Sequence, residues 1–287
     1  MVDPVRSVVA AWRRTRDARM VRRFAHGAGG TSLVWVDGRV GVLKAWPLTS
    51  PATAVLPAAL ERMQAMAARG VRVPAVLERG ACGDYGYVLY EVLPGRWPAR
   101  VSARLVDDLV AVVDAERGAA GTSNPRWSDE LARMLDAGDP LFDIDPAAVA
   151  AHPAGRRLLD EARRRLDHAD PAHLQTSDVV HADFAPENVL VEAGRLVGVV
   201  DWERCRIGDA GLDLVGAVVD VGLRRTSAVA ARRLWASTRA RVPADALALY
   251  VGVYVVRYAS WALGTSMEAE VLALADRLLA ATTAIGD

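Results

Sequence analysis

The segment from Val179 to Glu203 places His181, Asp183 and Asn188 in one short loop, and Asp201 at the end of the next apolar run. Transfer of a phosphoryl group from a nucleotide needs an aspartate that orients the attacking hydroxyl and accepts its proton. It also needs an Asn and an Asp that hold magnesium on the phosphates. The order H-x-D-x-x-x-x-N, with an Asp closing a strand thirteen residues later, supplies these groups. The chain also carries thirty-four arginines and a single lysine, Lys44, in the run RVGVLKAW. Beside phosphates a compact ammonium and a broad guanidinium fork are not interchangeable, so Lys44 reads as phosphate-facing. A metal-dependent hydrolase built on His181, Asp183 and Asp201 lacks an obvious further His. A nucleotide-binding pseudokinase would not need all four of Lys44, Asp183, Asn188 and Asp201.

The elements that must position these groups fall into two kinds. Residues 5–19 read as a short Arg-rich helix, and from Val21 to Trp46 the pattern becomes that of strands. Asp37-Gly38 is a two-residue hairpin signal between the second and third runs. Between the first two runs lie Gly27, Gly29, Gly30, Thr31 and Ser32. Glycines there let backbone N–H groups approach an anion, and the hydroxyls add donors. Joined to Lys44, this turn reads as a lid over nucleotide phosphates. Residues 51–69 read as a helix, with Leu56, Leu60, Met63 and Met66 at helical spacing. Strands are expected around 75–78 and 86–92, and Leu93-Pro94-Gly95 marks a hinge. Beyond it the helical period dominates, with helices expected over 128–137, 146–168, 211–222, 228–241, 244–263 and 267–283. A hairpin of 189–192 and 196–200 sits among them. The plan is α+β and bilobal: a small, mainly antiparallel nucleotide-binding lobe over 1–93, a large helical lobe over 94–287, and the site in the cleft between.

Composition narrows the partners. The net charge is formally zero over 287 residues, so nucleic acid is not implied. Residues 1–95 carry a net +6 and residues 96–287 a net −6, which suits nucleotide phosphates on one side and a cationic acceptor on the other. Cys82 and Cys205 offer at most one disulfide and no metal cluster, and the N-terminus does not read as a secretory signal. A reduced, cytoplasmic protein is expected, as monomer or homodimer, without a membrane partner. The apolar run Leu247 to Leu263 is interrupted by Arg257 and reads as a buried helix rather than a span.

The stretch HADFAPENVL, followed by VVDWE and GDAGLDL, resembles the aminoglycoside phosphotransferase and choline kinase-like enzymes, relatives of protein kinases. The resemblance covers nearly the whole chain. It implies a protein-kinase-like fold and a small-molecule kinase that uses ATP, or GTP, with Mg²⁺. It also implies Asp183 as the catalytic aspartate, Asn188 and Asp201 as metal ligands, His181 as a scaffold of the loop and Asp213 as a brace for its backbone. Lys44 would bind the phosphates with a helix glutamate as its partner. The expected position holds Ala59, and Glu61, the one acid in that helix, lies about 200° around it. Glu61 is the candidate partner. Glu91, Val92 and Leu93 would present backbone groups to a purine.

The acceptor is a small hydroxyl compound, with an antibiotic or related natural product expected and a metabolic acceptor such as choline, a sugar or an amino alcohol as the alternative. Two features could receive it. Asp129, Glu130 and Asp136 belong to a run of six carboxylates within residues 129–145, suited to ammonium groups. Tyr250, Tyr254, Tyr258 and Trp261 lie on one helix face, where Tyr254 and Trp261 could stack on a ring.

Overall fold

The computed structural model describes residues 3–24, 30–223 and 226–283. Asp3 caps the first helix, α1 (Pro4–Trp12), by accepting from the Val5 N–H, and Pro4 sits where its missing N–H costs nothing. The helix ends earlier than its Arg-rich sequence suggested, and the chain turns straight into β1 (Ala18–Arg23). β2 (Thr31–Val36) and β3 (Arg39–Pro47) form the expected hairpin, with Asp37 and Gly38 both at positive φ. After α2 (Pro51–Ala68) come β4 (Val76–Cys82) and β5 (Tyr85–Tyr90). The five strands make one antiparallel sheet in the order β1-β2-β3-β5-β4.

The alternation of a strand gives this sheet two faces. Val34, Val36, Leu43 and Ala45 point to α1, where Val5, Val8, Val9 and Trp12 close a small core. Lys44, between Leu43 and Ala45, necessarily points the other way. α2 buries Ala59, Leu60, Met63 and Met66, and these join the larger core rather than the one under α1.

Gly95 follows β5 at φ +101, and a side chain there would meet Val197 at 2.7 Å and the Val191 carbonyl at 3.1 Å. That close approach lets Arg96 and Val191 exchange backbone hydrogen bonds of 3.0 and 2.7 Å, which ties the chain after β5 to the segment around Val191. The remaining chain is mainly helical. It runs through α3 (Ala103–Glu116), α4 (Trp127–Ala137), α5 (Pro146–Ala151) and α6 (Pro153–His168) to β6 (Asp178–Val180). The hairpin of β7 (Val189–Glu192) and β8 (Arg195–Val199) follows, then β9 (Arg206–Gly208), which pairs with β6. The chain closes with α7 (Gly211–Leu223), α8 (Ala228–Arg239), α9 (Ala244–Ala262) and α10 (Glu268–Thr283).

The helix expected over 146–168 is two helices, because Pro153 starts α6 and cannot continue α5. The β6–β9 pair had no sequence signal, since three-residue strands are too short to show alternation. α9 packs against α6, α7 and α10 and is the hub of the large core. Its apolar run is thus interior. Among the described residues no helix is long and apolar enough to cross a membrane. Both cysteines are free.

Candidate active site

The loop after β6 is held from behind. Asp213, fully buried in the first turn of α7, accepts from the backbone N–H groups of His181 at 2.5 Å and Ala182 at 2.9 Å. Ala182 sits at φ +65, a left-handed conformation that an L side chain adopts only at a cost of about 1–3 kcal/mol. The two backbone hydrogen bonds to Asp213 offset that cost. His181 is completely buried against Trp202 and Phe184. Its Nδ1 accepts from the Asp183 N–H at 3.3 Å, so Nε2 carries the proton and donates to the Val200 carbonyl at 2.9 Å. Burial, against the pull of the Asp183 charge, lowers its pKa, and the ring is neutral at pH 7. His181 is built into the loop as a support, not aimed at the cleft as a base.

Asp183 is gripped at both oxygens. Arg257 Nη2 donates to one at 2.5 Å, and Asn188 Nδ2 donates to the other at 3.0 Å. Burial alone would raise this carboxyl, but the Arg257 and Arg204 charges outweigh it and hold the group below the usual carboxylate range. Asn188 Nδ2 also donates to the Asp183 carbonyl at 2.8 Å, which directs the amide nitrogen to the loop and leaves the amide oxygen as its hard donor. Across the hairpin the Val200 N–H donates to the Asn188 carbonyl at 2.9 Å, bringing Asn188 beside the strand end that carries Asp201.

Lys44 reaches the Asp201 end of this hairpin from β3. Its Nζ lies 2.6 Å from Asp201 Oδ1 and 2.8 Å from Glu203 Oε2. Burial alone would lower its pKa, but the two carboxylates raise it instead, so the ammonium stays charged. Asp201, at φ +68, turns the chain out of β8 and exposes 40% of its side chain, whereas Glu203 exposes 10%. The expected partner, Glu61, stands exposed on the far side of α2, because Ala59, Leu60 and Met63 occupy the helix face that packs inward. The backbone carbonyl of Ala59 receives the Cys205 thiol at 3.3 Å, and Arg62 donates to the Cys205 carbonyl at 3.0 Å.

The phosphate-lid residues divide. Gly27 and Gly29 lie outside the described residues. Gly30 sits at φ +102 with the Ala45 carbonyl 2.7 Å from where a side chain would begin, so only glycine fits. Thr31 pairs with Lys44 across β2 and β3 and shares its face of the sheet. Ser32 does not: alternation turns it to the α1 side, where its hydroxyl is buried without a partner. At the hinge the Glu91 N–H is already donated to the Ala75 carbonyl at 2.8 Å, and its carboxylate meets Arg72. Val92 is exposed and Leu93 is buried.

Asp183 opens on a cavity of about 410 Å³ lined by Asp143, Glu187, Arg204, Asp220, Arg257, Tyr258 and Trp261 with Ala185, Leu223 and Met267. Asp143 pairs with Arg204, and Arg257 lies over the Phe142 ring at 4.5 Å and the Tyr254 ring at 5.6 Å. Tyr258 donates to Asp220. Of the expected acceptor residues, Trp261 lines this cavity and exposes 45% of its surface. Asp129, Glu130 and Asp136 do not line it. The first two stand in the first turn of α4, where the helix dipole favours them, and Asp136 pairs with Arg163 on the outer surface. Tyr254 is core, packed edge-on to Phe142.

Asp143 and Tyr258 belong to the acidic run and the aromatic stripe that the sequence offered, whereas Glu187, Arg204, Asp220 and Arg257 were missed as cavity residues. The signal for Arg257 was present: a lone charge in an apolar run must find a partner once buried. A wider, more open groove of about 570 Å³ runs along α6 between Arg156, Arg157, Asp160 and Arg164, but holds no group of the catalytic loop.

The donor set is of the hard, oxygen-only kind that suits a divalent cation such as Mg²⁺. Among the described residues no group of three His, Cys, Asp or Glu side chains could hold a cation alone. The Asn188 amide oxygen and the Asp201 carboxylate are hard donors that would leave most of a coordination shell to phosphate oxygens and water. That is how Mg²⁺ binds in phosphoryl-transfer sites.

Residues 20–249 match the model of the phosphotransferase enzyme family. An aminoglycoside 3'-phosphotransferase of Streptomyces ribosidificus is 29% identical over 182 residues, covering 57% of this chain and 64% of that relative's length. The fold is shared with solved structures at low identity. The APH(4)-Ia aminoglycoside phosphotransferase in its complex with ADP and hygromycin B superposes with a TM-score of 0.63 at 16% identity, over 98% of both chains. A microcompartment-associated aminopropanol kinase gives 0.60 at 18%, over 94% of this chain and 92% of its own. The macrolide 2'-phosphotransferase MphH of Brachybacterium faecium gives 0.54 at 19%, over 96% and 97%.

Proposed function

Because the chain belongs to the phosphotransferase enzyme family, we propose that it transfers the γ-phosphoryl group of ATP, or of GTP, to a hydroxyl of a small molecule. The acceptor is an antibiotic or related natural product of aminoglycoside, nucleoside, macrolide or peptide type. The observation that carries the reading is the position of Asp183. It stands between Asn188, beside the strand end that carries Asp201, and a cavity of about 410 Å³, large enough for part of a natural product.

Each residue then has a task. The acceptor hydroxyl donates its proton to Asp183 as its oxygen bonds to the γ-phosphorus, while the bond from that phosphorus to the bridging oxygen breaks and the nucleoside diphosphate leaves. Lys44 holds phosphate oxygens. Asn188 and Asp201 would hold Mg²⁺, which supplies charge neutralisation on the phosphates when bound. His181 and Asp213 keep the loop in its left-handed turn, so Asp183 need not reorganise as the reaction proceeds.

A second reading is supported by the cavity itself. Its modest volume and its Asp143, Glu187 and Asp220 carboxylates beside Trp261 also suit a metabolic kinase for a small amino alcohol or sugar. The test is nucleotide consumption by purified protein with Mg²⁺, using ATP and GTP separately. The acceptors would be aminoglycosides, macrolides, nucleoside and peptide antibiotics, choline, aminopropanol and simple sugars. Acceptor-dependent turnover that disappears in Asp183→Asn is expected. Turnover unchanged by that substitution would overturn the role of Asp183.

A further inference from the structure

Lys44 has two carboxylate partners that are not equivalent. Asp201 exposes 40% of its side chain at the cleft, while Glu203 exposes 10% and Lys44 itself 12%. Glu203 belongs to a 3-10 turn, residues 202–204, against which α2 packs. The buried Tyr90 phenol lies beside it, with burial and the Glu203 charge pushing its ionisation well above the ordinary tyrosine range. The place where α2 could have offered an acid holds Ala59, fully buried, whose carbonyl receives the Cys205 thiol. Arg62 fastens the next turn of the helix to the Cys205 carbonyl at 3.0 Å. A carboxylate on α2 at residue 59 would have to displace this packing, and Glu61 faces solvent.

We propose that Glu203 is the permanent counter-ion of Lys44, doing from the turn after Asp201 what the helix acid does not do in this chain. The consequence is a division of labour between two acids two residues apart. Asp201, open to the cleft, can release the ammonium and turn to a divalent cation. Glu203, enclosed, keeps the ammonium in place while that happens. A buried ammonium left with no partner would be strongly disfavoured, so without Glu203 the lysine would hold on to Asp201. Glu203 is thus a positioning residue, acting on the nucleotide through Lys44. A second consequence concerns α2. Since the counter-ion sits on the turn that α2 already packs against, Lys44 is preset without any swing of that helix.

The inference rests on the nucleotide reading above, and binding measurements separate the two. Calorimetric titration of wild-type protein with ATP at fixed Mg²⁺ tests the reading first: if no Mg²⁺-dependent binding is seen, the nucleotide assignment fails whatever Glu203 does. Given binding, Glu203→Gln, close in shape but uncharged, is expected to weaken Mg²⁺–ATP about tenfold. It should also raise the Mg²⁺ concentration needed for half-maximal nucleotide affinity, because the metal must now compete with Lys44 for Asp201. Glu203→Asp is expected to recover part of the loss. In a Lys44→Ala background, Glu203→Gln should change affinity by less than about twofold, since the residue it serves is gone. Circular dichroism and thermal midpoints near wild type would establish that the variants fold. Should Glu203→Gln bind Mg²⁺–ATP with wild-type affinity and metal dependence, or should the two substitutions act independently, the proposal is overturned.

Discussion

On the proposed reading the site has a nucleotide side and an acceptor side, and the two are built on opposite plans. On the nucleotide side one cation, Lys44, is enclosed by two anions, Asp201 and Glu203. On the acceptor side one anion, Asp183, is gripped by two donors, Arg257 and Asn188. In the proposed reaction the first arrangement keeps a positive charge ready for phosphates. The second keeps a negative charge ionised for the acceptor hydroxyl of that reaction. The parts also come from different distances in sequence. The acids around Lys44 lie two residues apart, whereas the cavity around Asp183 gathers residues 143, 204, 220, 257 and 261 from four separate segments.

If the sides are functionally separate, the largest effect should fall on one and spare the other. Asp183→Asn is expected to lower acceptor-dependent turnover by about 10³-fold, while calorimetry finds Mg²⁺–ATP affinity within about twofold of wild type. An equal loss in both measurements would dissolve the distinction. Arg257→Gln should come next. It leaves the anion but removes the guanidinium that orients it, and a misplaced catalytic group costs up to about 10²-fold in turnover. The KM for ATP should hold steady. Arg257→Lys keeps the charge without the planar fork that spans Asp183 and the Ala182 carbonyl, so only partial recovery is expected. Because the pair is buried, Arg257→Gln should also lower the thermal midpoint.

This contrast explains how much could be read beforehand. The small antiparallel sheet, the Asp37-Gly38 hairpin and the order of helices followed from alternation, turn residues and helical period. The structure brings Lys44 to Asp201 and Asn188 to Asp183, and these four could be singled out beforehand because a lone lysine and a short loop with fixed spacing are visible in a sequence. The partner of Lys44 could not, since it depends on which acid tertiary packing brings near. Glu61 had the right type and the wrong side of its helix, and Glu203 stood in plain view in the motif. The acceptor side was least legible. Asp129, Glu130 and Asp136 were chosen for charge density, but the first two stand in the first turn of α4 and the third pairs with Arg163 at the surface, while Asp143 from the same run, itself exposed, lines the cavity. Arg257 was treated as a blemish in an apolar helix, although it is the residue that joins that helix to the catalytic loop.

The acceptor side can be probed more finely at its aromatic rim. Trp261 exposes 45% of its surface on the cavity and stands 5.6 Å from the Tyr258 ring. Stacking on a ring of the acceptor is worth about 0.5–1.5 kcal/mol. Trp261→Ala should therefore raise the acceptor KM several-fold, leave the KM for ATP alone and change turnover little. A change in the KM for ATP instead would place Trp261 on the wrong side of the comparison.

The smallest effect on turnover and affinity should come from beneath the loop that carries Asp183. Glu116, the last residue of α3, is fully buried with neither carboxyl oxygen hydrogen-bonded, near Asp213 and Asp178. Burial and those two neighbours push its pKa well above the ordinary value. Burial likewise pushes Asp213 up to about 7, against the two N–H donors that favour its ionised form. From the ordinary carboxylate range up through about pH 7, the folded protein then keeps protons that the unfolded chain has released. These two carboxyls contribute stability that falls as pH rises over that interval, since each keeps in the native state a proton that the unfolded chain has released. Each proton so held tilts stability by about 1.4 kcal/mol per pH unit. Glu116→Gln removes one such proton from the balance, so its thermal midpoint should decline less steeply than wild type between pH 5 and pH 8. The gap should grow toward the alkaline end. Neither KM should move, because Glu116 touches neither the nucleotide nor the acceptor side. Parallel curves for the two proteins would mean that Glu116 does not keep its proton on folding. The brace under the loop would then carry charge that the packing around it gives no means to neutralise.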